Sequence, residues 1–135
     1  MLDAAALVDV VLDQRDADWI LAQLAGEEVC APAHQPAEVL SAVARLHRAG
    51  TLDKNTAQDA LEEAMALRQE LVVATTTHVL RALEINDRIR ALDGLYVALA
   101  EERDCALVTT DLRLAGAGAA CEVRVPPQTE ETNRA

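Results

Sequence analysis

Asp3, Glu38, Asp93 and Asp111 are the residues of this 135-residue chain best suited to act as a group. Carboxylates gathered without counter-charge repel one another and retain protons at neutral pH. A hard divalent ion removes that conflict. Oxygen-only ligands with open water positions suit Mg²⁺ or Mn²⁺, and such an ion activates water and stabilises a phosphodiester under in-line attack. The four acids are therefore candidate catalytic and metal-binding residues, and the chemistry they point to is metal-dependent phosphodiester hydrolysis. Thr109, two residues before Asp111, lies on the same side of its strand and is a candidate supporting hydroxyl. Arg81, Arg88, Arg90 and Arg113 stand just before or after the acids and are candidate contacts to substrate phosphates. Taken singly, each acid has an ordinary explanation. Glu38 and Asp93 suit the first turn of a helix, Asp111 suits an N-cap, and Asp3 suits solvated surface.

The elements decide whether the acids meet. Met1-Leu2-Asp3 reads as the end of a first strand, and Glu28 to Ala31, Leu71 to Ala74, Ala106 to Thr110 and Cys121 to Val125 read as four more. Helical patterns separate them: Ala4 to Leu12, Asp16 to Ala25, Pro36 to Gly50, Leu52 to Leu67, a helix through Arg81 to Ile85, an apolar helix from Leu92, and a short one at Leu112 to Ala115. Strands alternating with helices predict an α/β fold, a small parallel sheet of four or five strands flanked by helices. Asp3 and Asp111 then emerge at the carboxyl edge, where open α/β sheets place ligand sites. Glu38 and Asp93 open helices that begin near that edge. In the fourth helix Leu61, Ala64 and Met65 are expected to point inward.

Composition narrows the class. Hydrophobic residues make up 51% of the chain without a single Phe, so small aliphatic side chains must build the core. The net charge of −11 repels nucleic acid and anionic membranes at long range, which suits a basic partner or bound cations. Three cysteines, odd in number and scattered, read as reduced residues of a cytoplasmic protein. His34, His47 and His78 form no zinc-type spacing. Asp3, Asp9 and Asp13 interrupt the first apolar run, which excludes a secretory signal there, and no stretch is long enough to span a membrane. Residues 1–126 are expected to form the domain and 127–135 a disordered tail.

Four segments resemble one family. Leu2-Asp3-Ala4-Ala5-Ala6-Leu7-Val8-Asp9 is similar to the opening of PIN domains, and Pro36-Ala37-Glu38-Val39-Leu40-Ser41-Ala42 to their second acidic segment. Arg81 to Ile85 with Asp93-Gly94-Leu95-Tyr96-Val97-Ala98-Leu99-Ala100 resembles the third, and Leu107-Val108-Thr109-Thr110-Asp111-Leu112-Arg113-Leu114-Ala115 the fourth. In order and spacing they match the VapC-type toxins. The resemblance implies a three-layer PIN-like fold and a Mg²⁺- or Mn²⁺-dependent endoribonuclease. It also implies a homodimer and a cognate VapB-like antitoxin whose basic C-terminal arm enters the acidic crevice. Asp3, Glu38, Asp93 and Asp111 map onto its metal-binding acids. Three positions depart from the pattern: Ala5 stands where serine is frequent, Leu92 where an aromatic is, and Gly94 where alanine is. Gly94 is expected to loosen the turn that carries Asp93. An alternative reading follows from these departures, a catalytically weakened module that sequesters a basic arm or another protein.

Overall fold

The computed structural model describes residues 1–128, so the expected tail from 129 onward lies outside the described residues. Among the described residues, seven helices and four short strands follow one another as α1 (Ala4–Val11), α2 (Ala17–Leu24), β1 (Cys30–Pro32), α3 (Gln35–Arg48), α4 (Lys54–Ala66), β2 (Glu70–Val72), α5 (Thr76–Glu84), α6 (Ala91–Arg103), β3 (Leu107–Val108), α7 (Leu112–Ala115) and β4 (Val123–Arg124). Local chemistry explains the helix starts. Asp3, Asp53, Thr75 and Asp111 each accept a backbone N–H of the first turn that follows them, and Thr75 and His78 cap α5 reciprocally. Gly26, at φ +75°, follows the end of α2 in the left-handed conformation that an L side chain resists.

The sheet is assembled around the N-terminal segment. β1 and β2 pair in parallel, as do β3 and β4. Met1–Asp3 stitches the two pairs together: the Leu2 N–H donates to the Cys30 carbonyl at 3.1 Å, the Val108 N–H to the Met1 carbonyl at 2.8 Å, and the Asp3 N–H to the Val108 carbonyl at 3.2 Å. Alternation along the strands then sends neighbours to opposite faces. Leu2 and Val108 pack with Leu7, Val39, Val43 and Ala57 of α1, α3 and α4. Met1 and Leu107 pack with Tyr96, Val97 and Leu99 of α6 and with Ile85 beyond α5. Helices thus cover both faces, giving the α/β arrangement expected from the alternation of patterns and the three layers implied by the resemblance.

Several details differ from expectation. β1 begins two residues later than predicted and includes Pro32, whose missing N–H costs nothing because the Ala33 N–H takes up the link to the Val72 carbonyl at 2.9 Å. Met65 points to solvent, and Ala57, Ala60 and Ala64 form the inward face of α4. Alanine there lets α4 pack closely. Gly94 does not loosen its turn: it is buried, and a β-carbon there would meet the Ala82 α- and β-carbons at 3.1 Å. It is the point where α5 and α6 touch.

Candidate active site

Asp3 is the most enclosed of the four acids, at 5% exposure. The same carboxylate that caps α1 accepts the Ala6 N–H at 2.8 Å on one oxygen and the Thr109 hydroxyl on the other. Thr109 is itself fully buried, and its Oγ1 accepts the Asp111 N–H at 3.0 Å. One threonine therefore fixes Asp3 and the start of the Asp111 loop relative to each other. Burial drives the Asp3 pKa up from 3.8 to about 7, and the neighbouring charges of Asp93 and Asp111 add to that rise, while the Thr109 and Ala6 hydrogen bonds oppose it.

Glu38 and Asp93 face this pair from two helices. Glu38, in the first turn of α3, accepts the Tyr96 hydroxyl at 3.0 Å, and His34 Nε2 lies 3.1 Å from the same oxygen. The His34 nitrogen is enclosed but not aligned for a hydrogen bond, and its ring stands edge-on to Tyr96 with centroids 5.1 Å apart. Burial opposes ionisation of Glu38, yet the His34 and Tyr96 contacts and the Arg90 charge outweigh it and hold the carboxyl below its ordinary range. Asp93 lies in the first turn of α6, 3.4 Å from Arg90. Desolvation raises its pKa, Arg90 opposes the rise, and Glu38 and Asp111 reinforce it. Asp111 is held down by Arg113, which grips it through two side-chain contacts of 3.0 and 2.9 Å.

The structure thus brings Asp93 within electrostatic reach of Asp3, Glu38 and Asp111, and Asp3 within reach of Asp111. Among the described residues, no three acidic, imidazole or thiol groups are close enough to chelate one ion as they stand. Arg90 and Arg113 occupy two of the acids instead. The donor set nonetheless fits a hard cation: all ligand atoms are carboxylate oxygens, and the most buried of them, on Asp3, lacks a cationic partner.

The four arginines of the expected rim divide. Arg90 and Arg113 stand at the acids. Arg81 bridges α5 to Glu101 near the far end of α6 and also reaches Glu84, so it joins helices instead of lining the crevice. Arg88 pairs with its neighbour Asp87. Sequence reasoning passed over Tyr96 and His34. Their signals were present: Tyr96 is one helical turn after Asp93, and His34 is one turn before Glu38. Asp9 is half-buried, and burial raises its pKa while the nearby Thr110 side chain opposes the rise, which places it beside the Asp111 loop and not in open solvent.

Residues 1–119 match the PIN domain family. The chain is 43% identical to Ribonuclease VapC3 of Mycobacterium tuberculosis over 123 residues, covering 87% of this chain and 85% of that protein. This chain belongs to the PIN-domain VapC family. A second VapC relative, Ribonuclease VapC9 of the same organism, is 33% identical over 131 residues, covering 95% and 98%. The PIN fold is also seen in the crystal structure of PAE2754 from Pyrobaculum aerophilum, with a TM-score of 0.63 at 19% identity over 90% of this chain and 87% of that one.

Proposed function

We propose that this VapC-family chain is an endoribonuclease, with Asp3, Glu38, Asp93 and Asp111 holding Mg²⁺ or Mn²⁺. What supports the reading is that the buried, cation-free Asp3 feels the charges of Asp93 and Asp111, and that Asp93 in turn feels those of Glu38 and Asp111. The names of the VapC relatives support RNA as the substrate class. A divalent ion bound there supplies an activated water and neutralises charge on the phosphodiester. The chain's own part is positioning. Thr109 orients Asp3 and the Asp111 loop, and Tyr96 orients Glu38 across the gap between α3 and α6. Arg90 and Arg113 balance the acids and stand ready to face an incoming phosphate.

Family membership supports a VapB-like antitoxin with a basic C-terminal arm, which suits the net charge of −11. A homodimer is the further part of the proposal. Val79, Leu80 and Leu83 form an exposed apolar stripe on α5, the opposite face of which packs on α6, and a second copy of the chain is its proposed occupant.

Purified, partner-free chain with Mn²⁺ or Mg²⁺ is expected to cleave RNA. Asp93→Asn is expected to lower the rate by more than the roughly 10- to 100-fold that loss of a group supporting a metal ligand costs. Its circular dichroism should be unchanged, and calorimetry should show weaker metal uptake. Wild-type chain that takes up no metal and cuts no RNA, yet binds a basic peptide tightly, would establish the sequestering module instead. The engagement of Asp93 and Asp111 by arginines is what favours that second reading.

A further inference from the structure

An acidic enzyme that works on a polyanion must place its few available cations where the substrate lies. Most arginines here are already engaged: Arg81, Arg88, Arg90, Arg103, Arg113 and Arg124 each pair with a carboxylate. Among the described residues, Arg45, Arg48, Lys54 and Arg68 make no ion pair. Of these, Arg45 lines a cleft of about 500 Å³ that opens directly beside Glu38. The cleft runs between α3 and the segment entering α6, with Ala4 and Ala5 of α1 completing its wall.

The face of α3 that borders this cleft has its own pattern. Glu38, Ser41 and Arg45 recur at intervals of three and four, so they share one side of the helix, while Val39 and Val43 face the core. Arg45 follows Glu38 by about 10 Å along the helix axis. Arg90 stands on the other side of the cleft. Small alanines in the wall leave room for a sugar–phosphate chain to approach, and the one aromatic residue bordering the cleft, His34, is turned edge-on against Tyr96. The surface therefore offers a planar cation and hydroxyl-sized donors but no stacking platform for bases.

We propose that this cleft is a subsite for the backbone of single-stranded RNA, in which Arg45 grips a phosphate flanking the bond attacked among the acids. The proposal rests on the ribonuclease reading above. It assigns Arg45 a binding role that is independent of sequence, and it extends the substrate path from the acids along α3.

The test compares wild type, Arg45→Gln, Arg45→Lys and Arg68→Gln on a short mixed-sequence single-stranded RNA with Mn²⁺, across a series of salt concentrations. Arg68 is an unpaired arginine in the cavity at the opposite, amino edge of the sheet, so its loss removes the same charge far from the cleft. Arg45→Gln is expected to raise KM several-fold with kcat nearly unchanged, and to reduce the slope of log(kcat/KM) against log salt by about 0.7. Arg45→Lys should retain the salt slope, and Arg68→Gln should behave as wild type. If wild type cleaves RNA but Arg45→Gln matches it in KM and slope, the subsite is wrong and the ribonuclease reading stands. An equal effect of Arg68→Gln would likewise overturn the subsite, by reducing it to net charge. If wild type neither binds nor cleaves RNA, both fall.

Discussion

Asp3 performs two tasks with conflicting electrostatic demands. As the cap of α1 its carboxylate is welcomed by the Ala6 N–H, whereas its burial and the nearby Asp93 and Asp111 charges favour the neutral acid. The second influence wins and places its pKa at about 7. Because that value lies above the ordinary 3.8, Asp3 favours the folded chain most where it is protonated. This contribution is complete below 3.8 and is lost as pH rises through about 7. Asp93 acts in the same direction, whereas Glu38 and Asp111 act in the opposite one, their contributions being lost only as pH falls below the ordinary carboxylate range. In chelator, the Tm of the wild-type chain is therefore expected to rise from about pH 8 to about pH 5, with on the order of 2–3 kcal/mol recovered from Asp3 over that range. Asp3→Asn should flatten that slope. Thermal unfolding monitored by circular dichroism checks both, and a pH-independent wild-type Tm would contradict them. The need for protons or cations among clustered acids was legible from their residue types alone. Which acid bears the burden was not, because it depends on burial that arises only when α1, β3 and α6 meet.

At the level of elements, α6 carries most of the site, since it presents Asp93, Tyr96 and the glycine that lets α5 approach. Gly94→Ala would gain about 1 kcal/mol in helix propensity but force a methyl group against the Ala82 α- and β-carbons, and overpacking of this kind costs about 1–3 kcal/mol. We expect net destabilisation by about 1 kcal/mol, relieved in part when Ala82→Gly, which removes the β-carbon but not the equally close α-carbon, is added to the same chain. A double-mutant cycle in urea measures the coupling, and additive effects would show that the two helices do not meet there. The sequence misleads about Gly94 because its partner lies on another helix, and local propensity is silent about contacts across a helix pair. Helix starts were legible, since Asp53 and Thr75 announce themselves by type and position. Strand limits were less so. With two or three residues each, β1 to β4 have no room to show a period, and their ends are set by pairing partners instead.

For the whole molecule, the dimer proposal makes a direct prediction. Leu80→Glu combined with Leu83→Glu places like charges in the α5 stripe and should yield a folded monomer by light scattering where the wild type is a dimer. A wild type that is monomeric at the same concentration would remove the stripe from consideration as an interface between copies. The α/β class and the carboxyl-edge placement of Asp3 and Asp111 were legible from the order of elements, because parallel crossover units leave few ways to arrange them. The stitching role of Met1–Asp3 was not, since a segment bonded on one side to Cys30 and on the other to Val108 has no signature within itself. That central position has a consequence for synthesis on the ribosome. Asp3 and Thr109 are 106 residues apart in the chain, yet one fixes the other. A nascent or prematurely terminated chain that stops short of Leu107 lacks both the strand that holds Asp3 and the loop that carries Asp111. A cell translating this protein therefore meets the assembled acidic crevice only once its message has been read past the codon for Asp111.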